Sequence, residues 1–312
     1  MFDPKKFKSI NMDAVGDLFF ANQLNVIQQR VYEYQYPQFR AFEFIPVNYS
    51  DPDGAQFIST TQYQSVGRAR IINSYADDLP EASVIGMMLT SPVKSIGTSY
   101  RYSHDEIRAA RFVGMDLPFH LAEAARRAND ELVNNLAIVG DPETGLTGLL
   151  NNPAVPVVAI PDDGIGVSTE WTTKTPEQVL RDMNLVVNSI VANSNGVELP
   201  NTLLLPIEQY TYISSTPRST ASDTTIREYF LMNNPFISVV SWMPQLSGAG
   251  VGGTDMMIAF ERNSNKLEMR IPLAFTQYAP QERNLEFVIP CQSKFGGVSI
   301  YYPLSVAVGE GI

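Results

Sequence analysis

The sequence is poor in cysteine, histidine and basic charge. Its one cysteine, Cys291, excludes an internal disulfide and a thiolate metal site. Lys and Arg number 22 against 33 Asp and Glu, a net charge of −11. That balance excludes a chain whose main task is to grip nucleic acid, which needs cations to displace phosphate counterions. Charged residues make up only 18 %, against a usual ~25 %. No apolar run approaches the ~18 residues of a membrane span, and residues 1–9 lack the apolar centre of a signal peptide. A soluble chain made in a cytoplasm is expected. What is present is enough for a core: 312 residues, 44 % hydrophobic and 10 % aromatic, allow one large domain or two smaller ones and exclude global disorder.

Aromatic residues crowd the start. Phe2, Phe7, Phe19, Phe20, Tyr32, Tyr34, Tyr36, Phe39, Phe42 and Phe44 all fall within residues 1–45. So much apolar area must be covered, either by the subunit's own core or by a neighbour on which the segment lies as an arm. Residues 46–93 read as strands and turns. Asp51-Pro52-Asp53-Gly54 is a turn signal, and Gln56–Tyr63 is expected to pair with Arg68–Tyr75 across Ser65-Val66-Gly67 as a polar hairpin. A hairpin with no core-building face projects or lies on a partner.

Helix signals follow. Ser103 with Glu106 forms a capping box, Gly114 breaks the helix, and Pro118 opens a second one. Leu121, Ala125, Ala128, Leu132, Leu136 and Val139 are expected to form its apolar stripe, ending at Gly140. Thr175, Pro176 and Gln178 start another helix with Val179, Met183, Val186, Val187 and Ile190 inward. Asn201–Pro206 reads as a buried strand and Thr225–Met232 as a short helix. Strands are expected at Ile237–Trp242, Met256–Glu261, Leu267–Pro272, Leu285–Ile289 and Val298–Tyr302. Helices and strands without βαβ regularity indicate the α+β class.

Chemistry is sparse. Gly248-Ala249-Gly250-Val251-Gly252-Gly253 fits the dinucleotide pattern, yet a strand rather than a helix follows it, so a loop is expected. Gly97-Thr98-Ser99-Tyr100 begins like a nucleophile elbow, but Arg101 stands where the second glycine is needed. His104 and Asp105 are adjacent on a helix and point apart, and His120 reads as another first-turn surface residue. Cys291 reads as a buried, inert strand residue. Asp77-Asp78 and Asp162-Asp163 read as solvated turns. Lys5, Lys6 and Lys8 form a basic start, read as a solvated tail or as a contact with an acidic neighbour or enclosed nucleic acid. No catalytic, cofactor-binding or metal-binding residue is assigned, and no cofactor is expected.

The ordered set of parts resembles the major capsid proteins of tailed bacteriophages, which share the Hong Kong 97 fold. The residues that carry the resemblance are Tyr100-Arg101-Tyr102-Ser103-His104-Asp105-Glu106-Ile107, Gly114-Met115-Asp116-Leu117, Ala122 to Asn135, Gly140-Asp141 and the Gly145 to Pro153 turn. Upstream, Gly67-Arg68-Ala69-Arg70-Ile71-Ile72 and Ala76-Asp77-Asp78-Leu79-Pro80 add to it. The resemblance implies an N-arm at 1–45 and an extended E-loop hairpin at 46–93. It implies a P-domain at 94–151 and 254–293 with a spine helix at 118–139, and an A-domain at 152–253 and 294–312. Phe57, Tyr63, Arg68, Arg70 and Tyr75 would carry the E-loop interface, and Phe19, Phe20, Tyr34 and Tyr36 that of the N-arm.

The implied function is structural and not enzymatic: a self-assembling subunit that forms an icosahedral shell of hexamers and pentamers around double-stranded DNA. It would be assembled in the host cytoplasm and reside in the virion capsid, with no membrane and no sequence-specific DNA binding. The alternative is an encapsulin-type nanocompartment shell enclosing a cargo enzyme. Further implied partners are a separate scaffolding protein, a portal and a decoration protein. Two departures narrow the resemblance. Residues 46–93 hold no lysine, and Lys94 stands only at the base, so a shell held by non-covalent contacts is expected. The arm begins almost at Met1, so scaffolding is expected from a separate chain.

Overall fold

Short elements open the part of the chain that the structure, a computed structural model, describes: residues 38–71, 81–114, 116–219 and 223–312. They are α1 (Ala41–Phe44), β1 (Val47–Asn48) and the long strand β2 (Phe57–Val66). The strand that pairs with β2 is β3 (Ser83–Pro92), antiparallel and in unbroken register from Phe57↔Pro92 to Val66↔Ser83. This corrects the expected pairing with Arg68–Tyr75. The run Val84-Ile85-Gly86-Met87-Met88-Leu89 has stronger strand character than Arg68-Ala69-Arg70, and Arg68–Ile71 belong to the connection.

β4 (Lys94–Ser103) leads into α2 (His104–Val113), whose start carries both hydrogen bonds of the Ser103–Glu106 capping box. Gly114, at φ 79°, ends it in the left-handed conformation that glycine adopts freely. α3 (Leu117–Ile138) starts where Asp116 accepts from the Phe119 amide, with Pro118 in the first turn. Its buried face is Ala125, Asn129, Val133, Asn134, Ala137 and Ile138. The expected stripe is therefore misplaced: Ala128, Leu132 and Val139 are exposed. Two asparagines displaced the prediction because they are buried with partners. Asn134 Oδ1 accepts from the Ala41 amide at 2.9 Å, and Ser293 Oγ donates to Asn129 Oδ1.

The turn after α3 docks back onto the helix end. The amides of Leu149 and Leu150 donate to the carbonyls of Ala137 and Ile138, each at 2.9 Å. Asn151 closes the turn by accepting from the Gly148 amide at 2.6 Å and donating to the Leu146 carbonyl at 3.1 Å. A Cβ on Gly148 would stand 2.4 Å from the Gly140 nitrogen, so the close backbone crossing requires glycine.

The remaining elements are β5 (Val157–Ala159), α4 (Pro176–Asn193), β6 (Thr202–Leu205), α5 (Ile207–Ser215), α6 (Ile226–Asn233), β7 (Val239–Trp242), β8 (Met256–Phe260), β9 (Leu267–Arg270), β10 (Leu273–Gln277), β11 (Gln281–Arg283), β12 (Glu286–Phe295), β13 (Val298–Ile300) and β14 (Val306–Glu310). A five-stranded sheet runs in the order β5-β14-β8-β6-β7. Side chains alternate across it with period two. Leu203, Leu205, Met257, Ala259 and Ala307 share a core with Val179, Met183, Val186, Val187 and Ile190 of α4, together with Ile226 and Phe230 of α6. Leu204, Ile258, Phe260, Val306 and Val308 join the other core, with Val133, Ala137 and Ile138 of α3, Leu149, Met269 and Phe295.

β12 is the spine of a second sheet, pairing with β4 from Glu286↔Ser103 to Phe295↔Lys94 and on its other side with β10 and β11. A third sheet has the order β1-β9-β13. Met256–Phe260 lies in the middle of the five-stranded sheet, Lys294 and Phe295 pair with β4, and Val298–Ile300 pair with β9.

Candidate subunit interface

The β2–β3 hairpin is exposed along most of its length. Its register sorts the side chains into two faces. Ile58, Thr60 and Gln62 of β2 turn toward the body of the subunit and are half-buried. Phe57, Tyr63, Val84 and Met88 lie on the opposite, outer face. Tyr63 is 76 % exposed and Met88 67 %. The Tyr63 ring lies over Gly86, with ring carbons 3.5 and 3.6 Å from the point where a Cβ would be. Ser59 and Thr90 share a hydroxyl hydrogen bond of 2.9 Å across the strands. The hairpin is thus not the polar element expected: β3 exposes Val84, Ile85, Met87, Met88 and Leu89. An isolated strand pair is marginal by itself, and the apolar outer face of this one is open to a covering surface.

The base is pinned by a buried arginine. Arg270, at the end of β9, donates from Nη2 to Thr60 Oγ1 at 3.0 Å and to the Tyr301 hydroxyl at 2.6 Å. Its Nη1 faces Asp51 Oδ1 at 3.7 Å, and its Nε faces Glu268 Oε1 at 3.5 Å. The Tyr301 hydroxyl donates to Glu268, and Gln62 Nε2 donates to the Tyr301 carbonyl. Burial, reinforced by the Glu268 carboxylate, pushes the Tyr301 phenol above its ordinary pKa. Gly296 makes room for Ile58: a Cβ there would be 3.3 Å from both Ile58 Cδ1 and Arg270 Cβ. No sequence motif marks Arg270 or Tyr301, and the turn signal at Asp51-Pro52-Asp53-Gly54 does not tell where the Asp51 carboxylate goes. The apolar run of β3 was the readable signal that sequence reasoning passed over.

Of the interface residues expected from sequence, Phe57 and Tyr63 lie on the outer face of the hairpin. Arg68 and Arg70 are exposed in the connection beyond β2. Tyr75 and the arm residues Phe19, Phe20, Tyr34 and Tyr36 lie outside the described residues, as do Asp77-Asp78 and the lysines at 5, 6 and 8.

The candidates for chemistry do not converge. Ser99 is a strand residue of β4. His104 sits at the first position of α2, its ring edge-on to Phe287 at 4.8 Å and its Nε2 3.9 Å from Glu282. Cys291 is buried in β12, and burial pushes its thiol pKa up. The Gly248–Gly253 loop feeds β8, a strand, and so offers no helix N-terminus to a pyrophosphate.

Asp163 departs from the solvated-turn reading. Arg181 holds it in a paired hydrogen bond, and its carboxyl falls to about 2, chiefly through that bond. Beside it, Lys174 and Asp182 form a fully buried ion pair at 2.6 Å, and Lys174 Nζ also donates to the Pro161 carbonyl at 2.7 Å. The network ties the 161–174 strap to α4. A cleft of about 610 Å³ lies beyond the strap, lined by Glu170, Trp171, Glu208, Gln209 and Asp255 among others. Among the described residues, its lining holds carboxylates without a histidine or cysteine.

Comparison with known proteins supplies the family. The family model for major capsid protein matches residues 67–312. No curated protein sequence matches the chain. Among solved structures, the capsid of Myoviridae phage XM1 is similar over 94 % of this chain and 98 % of that one, at 15 % identity and a TM-score of 0.80. The capsid of an empty GTA particle is similar over 93 % and 95 %, at 9 % identity and 0.67. A virus-like particle from Pyrococcus furiosus is similar over 94 % and 95 %, at 13 % identity and 0.55. These likenesses establish the Hong Kong 97-like fold. With 67–312 matched and that fold in place, the chain belongs to the major capsid protein family.

Proposed function

We propose that this chain is the structural subunit of a virion shell, joining through hexamers and pentamers into an icosahedral container for double-stranded DNA. The observation that carries the reading is the hairpin, whose outer face presents Phe57, Tyr63, Val84 and Met88 to a neighbour while its inner face is pinned to its own subunit. The proposed E-loop is this hairpin, and Phe57, Tyr63, Arg68 and Arg70 are its proposed contacts. Phe19, Phe20, Tyr34 and Tyr36 are proposed for the N-arm and Tyr75 for the E-loop. The net charge of −11 suits a container that must not bind the genome driven into it. The role is non-catalytic, and the remaining proposed partners are a scaffolding protein, a portal and a decoration protein, with assembly in the host cytoplasm.

Light scattering of the purified chain, with nucleic acid absorbance read on the same peak, tests this. A uniform megadalton particle containing DNA is the expected result from infected cells. A shell that carries a cargo protein and no DNA would instead favour the nanocompartment reading. A chain that stays small in the presence of scaffold refutes both.

A further inference from the structure

We infer that Arg270 and its partners form the joint that sets the angle of the β2–β3 hairpin, making Arg270, Asp51 and Thr60 positioning residues for assembly. The consequence for shells rests on the proposed function; the joint itself does not. Three separate stretches meet at one buried guanidinium. Asp51 comes from the connection that enters the hairpin, Thr60 from β2 itself, and Glu268 and Tyr301 from the body. Near its base, the hairpin's inner face meets the body through these groups, Gln62 and the Ile58 contact at Gly296. Such polar contacts are directional, and a buried ionic group left without its partner is costly, so the arrangement favours one hairpin angle over its neighbours.

The joint is tight on one side and slack on the other. The Thr60 contact is a normal hydrogen bond, whereas Asp51 stands at 3.7 Å, beyond direct hydrogen-bond range. Asp51 Oδ2 and Arg270 Nε are both buried without a hydrogen-bond partner among the described residues. Position along the lever amplifies any change at the joint. At ~3.3 Å per residue, Thr60 lies ~10 Å along β2 and Val66 ~30 Å, so a displacement at Thr60 is about tripled where β2 ends. Removing the side-chain bonds should free that angle while leaving the strand ladder intact.

The test measures the angle directly. Spin labels on Ser65→Cys and Glu177→Cys, two exposed positions, report the distance from the hairpin to the body, with labelled chain diluted in unlabelled chain. The buried Cys291 thiol does not compete for label. Thr60→Val with Asp51→Asn should at least double the width of the distance distribution. Ser59→Val, on the opposite face of the same strand, should leave it as in the parent. An unchanged width in the double variant overturns the inference, as does equal broadening by Ser59→Val or a parent distribution already as broad. In shells, the double variant should spread the particle diameters relative to those of the parent. A parent that forms no shells would count against the proposed function and leave the distance result readable.

Discussion

Replacing Tyr63 and Met88 together by serine should disable assembly while leaving the subunit folded. Both side chains sit on the outer face of the hairpin as diagonal neighbours, about seven-tenths exposed. Full burial of a side chain of this size stabilises by about 1.5–3 kcal/mol. Scaled by the exposed share that a neighbour could cover, the pair contributes about 2–4 kcal/mol per contact. Every 1.4 kcal/mol is tenfold, so the critical concentration for assembly should rise about 30- to 700-fold. Neither residue supports the subunit core, so the loss of stability should stay within about 0.5 kcal/mol. Sedimentation across a concentration series, beside thermal melts of the unassembled chain, reads both quantities. A critical concentration that does not move, or a large fall in melting temperature with normal shells, would refute the reasoning and place those side chains outside the interface.

Three further outcomes follow from the interior. Lys174→Met should destabilise the subunit by about 3 kcal/mol in urea unfolding, the lower end for a broken buried pair because Arg181 still contacts Asp182 at 2.7 Å; a loss below 1 kcal/mol, roughly that of a surface pair, would contradict the buried pairing. Asp163 has a depressed carboxyl, about 2 against an ordinary 3.8, so its contribution is present above pH 4 and fades as pH falls toward 2. The melting temperatures of the parent and Asp163→Asn should therefore differ at pH 6 and converge below pH 4, and a difference constant with pH would argue against the Arg181 contact as its source. Gly148→Ala drives a Cβ to 2.4 Å from the Gly140 nitrogen and should cost at least the ~1–3 kcal/mol of an overpacked core, with the Leu149 and Leu150 amides losing hydrogen-exchange protection; retained protection would show that the turn has room to shift.

Much of the fold was legible locally. The capping boxes at Ser103–Glu106 and Thr175–Gln178 form as their spacing predicts. Gly114 and Gly140 end their helices with positive φ, and the inward face of α4 is the one its periodicity marked. The Thr202–Leu205 strand is buried throughout. The ordered motifs between Gly67 and Pro153 were sufficient to indicate the family, and the strand that holds Phe57 and Tyr63 was legible as part of a hairpin without a core of its own, though not its partner strand.

What the sequence by itself determined is what short-range geometry decides: caps, breaks, the alternation of strands, and a composition too acidic and too poor in thiol and imidazole for several classes of function. Only the tertiary structure decided which partners meet. β2 could pair with either of two downstream segments, and the choice of β3 depends on ten cross-strand positions fitting at once. The buried face of α3 includes Asn129 and Asn134, which look like surface residues until Ser293 and the Ala41 backbone are brought to them. The Arg270 joint collects residues from Asp51 to Tyr301. Hydrogen bonds to distant groups make polar burial affordable, and no periodicity of neighbouring residues encodes them.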